Sequence, residues 1–272
     1  RPAREGANGG LTEIHHYTDG QGRLSSLTVE RKIAHRQAAM IDRRDLSVET
    51  TLETVTLFQK RIIDATRHAG KPVIVATEML HTMIENDFPT KAEVSDITNA
   101  VLDGTSAIML SGETAIGRHP VAAVRLMRQV ANAAEQFLQD RLDDAHPSEP
   151  TSVPRAMEEA IALICRSLPI AKIVAVTRFG YAARMIAARQ VRQPILAVSN
   201  DESAARSFNL FPGVTGHYVD VPFSRTSTDH IIECLRLLWL RDALASDDLV
   251  LVTAVGYPRS GNRMNLIQTH LL

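Results

Sequence analysis

Cysteine is scarce in this chain. The two present, Cys165 and Cys234, are far apart and belong to no CxxC pair, so the sequence holds neither a disulfide framework nor a cysteine-based zinc site. That usage suits a reducing compartment, and a cytoplasmic setting is expected. Long apolar runs are lacking too. The segment "LVLVTAV", Leu249 to Val255, is strand-length, far below the roughly 20 residues of a membrane span, and no secretory leader is read at the start. A surplus of one charge is also missing: 30 basic residues nearly cancel 31 acidic ones. The one-sided electrostatic footprint that nucleic acid or an anionic membrane requires is therefore excluded, and small molecules or copies of the chain are the expected partners. His15 and His16 form a pair without a second ligand cluster at metal spacing and read as incidental.

What is present is a globular composition, 44% hydrophobic and 22% charged over 272 residues, enough for one large core or two ordinary ones. From Thr50 onward helical periodicity alternates with short β-branched runs, the pattern of an α/β fold with a mostly parallel sheet. Thr51 to His68 sets Val55, Phe58, Ile62 and Ala65 on one helical face, with Gly70 placed for a left-handed terminus. "KPVIVAT" reads as a buried strand, Ser95 to Leu102 as a short helix closed by Gly104, and Ser106 to Leu110 as another buried strand. Pro120 opens a long helix running to about Leu138. The polar, Pro-rich run from Gln139 to Pro154 is the expected domain boundary.

Beyond it, Ala156 to Leu168 is amphipathic. Strands are expected at Ile173 to Val176, Ile195 to Val198, His217 to Val219 and Leu249 to Thr253, with a helix from Thr226 to about Ala245 and "NLIQTHLL" as an edge strand. Trp239 and the helical methionines read as core, and the apolar helix around Trp239 as a candidate subunit contact. The first fifty residues read poorly. "MIDRRDLS" places Asp42, Arg43 and Arg44 where a buried strand should continue, a conflict that argues against a well-specified fold there.

Taken together, "FQKRIIDATRHAGKPVIVATEML", "PTKAEVSDITNAVLDG" and "IMLSGETA" resemble the last strands of the catalytic barrel of the pyruvate kinase family. The likeness continues through "IVAVTRFGYAARMIAARQVRQPILAVS" and "LVLVTAVGYPRSG", which resemble that family's C-terminal domain, and "RPAREG" with "LTEIHHYTDG" resembles the helix after its fifth barrel strand. The fold implied is the C-terminal part of a TIM (β/α)8 barrel over residues 1–142, followed by an α/β effector or oligomerisation domain over 150–272. Residues 21–39 have almost no counterpart in the family and look like an insertion or the product of a disturbed reading frame. The activity implied is transfer of a phosphoryl group from phosphoenolpyruvate to ADP, giving pyruvate and ATP in glycolysis, with Mg2+ and K+ as cofactors.

That reaction is dominated by positioning and by neutralisation of charge on phosphoryl oxygens. By resemblance Asp45 is a metal carboxylate, the backbone at Arg44 and Asp45 cradles the substrate carboxylate, Thr90 sets its hydroxyl beside the enolpyruvate as the catalytic group of the proton path, and Ser111 lines the same site. Around the aspartate, however, Asp42, Arg44 and Ser47 stand where the family has a small residue and two glycines. The family's catalytic lysine, second metal glutamate, potassium ligands, first five barrel strands and lid all fall before Arg1, so an incomplete portion, inactive alone, is expected. Each residue also has a plainer reading. Ser111 to Thr114 makes a strand-to-helix turn, Thr90 to Glu93 is a T-x-x-E capping box, and an isolated Asp45 is a solvated acid.

In the C-terminal domain the family's phosphorylated effectors bind between the turn after its first strand and the loop before its last. The counterparts here are Thr177 and Gly180 with Arg259, Ser260 and Gly261, although Phe179 and Ala182 replace hydroxyl residues and leave ordinary strand-end turns as the better reading. The alternative to a partial enzyme is a noncatalytic pyruvate-kinase-like protein that keeps an effector-binding or oligomerisation module.

Overall fold

The computed structural model describes residues 38–141, 152–224, 227–255 and 264–272. Most of the irregular 21–39 segment, the run 142–151, and Arg259, Ser260 and Gly261 lie outside them. The chain divides into two compact units, Arg1–Gln136 and Phe137–Leu272.

The first unit is built on a three-stranded parallel sheet. Strand β1 (Ala39–Asp42) leads into helix α1 (Arg43–Glu49), then α2 (Val55–His68), β2 (Val73–Ala76), a 3-10 turn (His81–Ile84), α3 (Lys91–Leu102), β3 (Ala107–Met109), the single turn α4 (Gly112–Ala115) and α5 (Pro120–Arg141). The sheet order is β1-β2-β3, with Ile41 opposite Val75 and Val75 opposite Ile108. The apolar face of α2 forms as its spacing predicts: Ile62 and Ile63 are fully buried, and Val55, Phe58 and Ala65 pack at the rim of the core.

Three expectations are corrected here. Residues 39–49 are well specified, because the polar residues that interrupt the strand also start a helix: Asp42 is the N-cap of α1. The segment 106–110 is only half-buried, with Met109 37% exposed. Among the described residues β3 has a neighbour on one side only, so its outer edge is uncovered. Helix α3 also begins four residues earlier than its apolar period suggests, since the capping box at Thr90 fixes its start.

The second unit contains α6 (Val153–Ser167), β4 (Lys172–Val176), α7 (Tyr181–Ala187), β5 (Ile195–Ser199), α8 (Glu202–Ser207), a 3-10 turn (Phe208–Leu210), β6 (Val214–Tyr218), α9 (Asp229–Leu240), β7 (Leu249–Ala254) and β8 (Leu266–Leu271). Its sheet runs β6-β5-β4-β7-β8, parallel except for the antiparallel closing pair β7 and β8. Alternate residues of the central strands enter two separate cores. Ile173, Ala175, Ile195, Ala197 and Leu251 pack into one, and Val174, Val176, Leu196, Val198, Val250 and Val252 into the other. Burial on both faces is why these strands read as continuous apolar runs. Trp239 is the exception to its expected role, being 48% exposed on α9 rather than core.

Both cysteines are free and buried, and burial pushes their thiols up to about 11 for Cys165 and about 12 for Cys234. Neither is a reactive thiolate at neutral pH. Among the described residues no helix is long and apolar enough to cross a membrane.

Candidate active site

Parallel strands put their C-terminal ends on one edge of a sheet, and barrel-type sheets keep chemistry on that edge. In the first unit the three exits are Asp42 to Asp45 after β1, Thr77 to Met79 after β2, and Ser111 to Thr114 after β3. Thr90 lies further along the connection that leaves β2, at the start of α3.

Carboxylates tie these exits together. Glu113, 1% exposed, accepts the Leu80 N–H through Oε1 at 3.0 Å and the Ser111 N–H through Oε2 at 2.9 Å, joining the loop after β2 to the loop after β3. The following turn is tight: a Cβ on Gly117 would stand 2.3 Å from the Glu113 carbonyl oxygen, so only glycine fits. Glu93 does comparable work one loop away, accepting from the Thr82 N–H and hydroxyl and from the Thr90 N–H and hydroxyl. Burial pushes the Glu93 carboxyl up, but these hydrogen bonds outweigh it and hold the group below the usual carboxylate range.

The Thr90 hydroxyl is thereby engaged in both directions. It donates to Glu93 Oε2 at 2.9 Å and accepts from the Glu93 N–H at 3.2 Å, completing the reciprocal capping box of α3. At the β1 exit the Arg44 and Asp45 amides donate to Asp42 Oδ1 at 3.0 and 3.4 Å. Arg43 turns away from them, its guanidinium bound to the Asp96 carboxylate and the Glu78 carbonyl. Thr77 and Glu78 both hold left-handed backbone, φ 69° and 54°, a conformation that costs a non-glycine residue about 1–3 kcal/mol and clusters at ligand clamps and switch regions.

Among the described residues no three His, Cys, Asp or Glu side chains are grouped to hold a metal ion. Asp45, exposed in the first turn of α1, therefore does not complete a Mg2+ site from these residues. The loops thus bring Arg44, Asp45 and Ser111 to one sheet edge, while Thr90 lies on the connection that leaves β2 and caps α3. Sequence reasoning missed Glu113 and Asp42. The first stands in a polar Ser-Gly-Glu-Thr turn that holds no local signal of the remote Leu80 amide it accepts; the second reads in the sequence as a strand breaker and as a departure from the family's small residue.

In the second unit the strand order departs one way from β4 to β5 and the other way to β7, so the C-terminal ends of β4 and β7 form a topological switch point. Thr177 and Gly180 lie there. Gly180 caps α7 at φ 79°, and a Cβ would stand 2.5 Å from the Phe208 ring, so the turn depends on glycine. Phe179 is 71% exposed and stacks on the Arg178 guanidinium at 5.0 Å.

Comparisons with known proteins agree with this architecture. The family model "Pyruvate kinase, barrel domain" matches residues 28–124, and "Pyruvate kinase, alpha/beta domain" matches 155–270. The two units therefore define a partial barrel followed by an α/β domain of the type found in that kinase. A pyruvate kinase of Geobacillus stearothermophilus is 38% identical over 236 residues, which is 86% of this chain and 40% of that protein. Pyruvate kinase 2 of Synechocystis is 40% identical over 221 residues, 79% of this chain and 36% of its own length. The crystal structure of a pyruvate kinase from Cryptosporidium parvum superposes with a TM-score of 0.75 at 29% identity, covering 90% of this chain and 49% of that one. The chain belongs to the pyruvate kinase family, and it spans less than half the length of these relatives.

Proposed function

We propose that this chain is a portion of a pyruvate kinase whose complete form transfers a phosphoryl group from phosphoenolpyruvate to ADP in cytoplasmic glycolysis, with Mg2+ and K+. The observation that carries the reading is the convergence of three parallel strand exits, bearing Asp45, the loop toward Thr90, and Ser111 to Thr114, on one sheet edge, the first two joined by Thr77 donating to Asp42 and the last two by the buried Glu113. In that reading Ser111 lines the phosphoenolpyruvate site with Arg44 and Asp45. Thr90, on the connection that leaves β2, is the hydroxyl of the proton path. Asp45 supplies one carboxylate toward Mg2+, the remainder coming from outside this chain. The second unit serves assembly into a homo-oligomer, with Thr177 and Gly180 as part of an effector phosphate site.

By itself the chain transfers no phosphate, since too few charge-neutralising groups are present. Pyruvate formation coupled to lactate dehydrogenase, with Mg2+, K+, phosphoenolpyruvate and ADP, should stay at background. The same assay on this chain joined to the upstream portion of the Geobacillus relative, with Asp42→Ala, Arg44→Gly and Ser47→Gly, should give turnover. A folded joined chain without turnover overturns the reading. A second reading, a noncatalytic protein keeping the effector or oligomerisation module, is favoured by the lack of a metal-holding group among the described residues.

A further inference from the structure

In the second unit one carboxylate oxygen is sealed from solvent and has no donor among the described residues. The Glu158 side chain, on α6, is 2% exposed, and its Oε1 has no hydrogen-bond partner. Its Oε2 accepts the Arg189 Nε–H at 3.2 Å, from the turn that follows α7, while Nη1 of the same guanidinium donates to Glu159. Two carboxylates thus share one guanidinium. The other charge facing Glu158 is Arg155, on the same helix and exposed. The core that α6 enters is apolar, with Ile161 and Cys165 set among Ile173, Ala183 and Ile186. A second tie joins the same two segments nearer the end of the helix, where Gln193 Nε2 donates to the Cys165 carbonyl at 2.9 Å.

An ionised carboxylate buried this deeply needs donors on both oxygens and a counter-charge of its own. Glu158 has a donor on one oxygen and shares its counter-charge. A proton on Oε1 removes the deficit, leaving one carboxylate, that of Glu159, to one guanidinium. We propose that Glu158 is a proton-operated latch: protonated, it closes the first half of α6 onto the 188–193 turn, and its deprotonation loosens that half while the Gln193 tie, which does not titrate, keeps the second half in place. The step is an acid dissociation, in which the Oε1–H bond breaks and the proton passes to solvent. Burial raises the Glu158 carboxyl, and Arg189 and Arg155 only partly offset that rise. The folded chain therefore holds this proton more tightly than the unfolded chain does. The latch is fully closed below the ordinary glutamate value of about 4.3 and is lost as pH rises through the raised folded value. A plain Glu158–Arg189 ion pair has the opposite sign, strengthening as the carboxyl ionises.

The test uses the full chain. Carbon-detected titration of the Glu158 carboxyl in the wild-type protein should give a midpoint above about 4.3, with the Arg189 Nε resonance moving at the same midpoint. Amide protection, corrected for intrinsic exchange, should rise over residues 156–161 as pH falls from about 8 to about 5, while residues 163–167 stay unchanged. Glu158→Gln, fixed in the neutral form, should show the low-pH protection already at about pH 8 and lose the pH dependence altogether. A folded Glu158→Gln less protected at that pH than the wild type would overturn the proposal, because the ion pair would then be what holds the helix. So would a Glu158 midpoint at or below the ordinary value, or equal loosening of both halves of α6. Should the glutamine variant fail to fold, the wild-type midpoint and the contrast between the two halves still decide. The phosphoryl-transfer reading is tested separately, in the joined chain, and its failure would leave the latch standing.

Discussion

The two units are built from the same parts, parallel strands with helices between them, and differ in how completely those parts are covered. In the second unit the central strands lie between two cores, and the antiparallel β8 closes one side of the sheet. In the first, one core supports three strands, and the last of them is half-buried to exposed. Coverage, more than strand propensity, is what the two sheets do not share. The less covered sheet carries the candidate chemistry, and there polar ties between loops replace some of what apolar packing supplies elsewhere.

The sharpest way to break the contrast is to delete matching side chains. Ile173→Ala, in a fully buried strand of the second unit, should cost about 2–5 kcal/mol, whereas Ile108→Ala in the half-buried β3 should cost well under that. Urea unfolding of each variant, followed by circular dichroism, checks the difference; equal losses would mean that β3 is as covered as β4.

Next in size is the tie that holds the loops of the first unit. Glu113→Ala strands two backbone N–H groups, those of Leu80 and Ser111, and each buried unpaired donor costs about 1–3 kcal/mol. Faster amide exchange confined to residues 77–84 and 110–117 is the expected signature. Thr90→Ala should be milder, about 1 kcal/mol through loss of the α3 cap, and Thr90→Ser should recover most of it.

Acid should separate the units with the smallest effect. Burial holds the imidazoles of His217 and His230 below the ordinary histidine range, with Arg241 adding to the effect at His217. The unfolded chain therefore binds their protons more readily, and stability in the second unit should begin to fall as pH drops through the usual histidine value of about 6.5. Glu93, whose folded value is lowered, contributes stability that is complete above the ordinary glutamate value of about 4.3 and is lost as pH falls through its lowered folded value. Amide exchange across a pH series should thus show the second unit loosening first. Loosening of α3 before α9 would contradict that order.

Where a segment's neighbours in sequence are also its determinants, the chain was readable from the start. The face of α2, the two-sided burial of β4, β5 and β7, and the edge position of β8 all follow from local period and run length. Reading failed where the deciding partner is remote. Asp42 looks like a strand breaker until Thr77, just past the end of β2, is seen to donate to it. Glu113 gives no hint that its carboxylate reaches the Leu80 amide across a loop. Trp239 follows a helical apolar period, yet its face of α9 is left half open. At the candidate site the resemblance supplied residues and roles, while the hydrogen bonds determine which of those groups are already engaged.

That half-open tryptophan has a practical consequence. It is the single indole in the chain, and it belongs to the second unit. Tryptophan emission is therefore a local witness, carried by a helix packed on the five-stranded sheet.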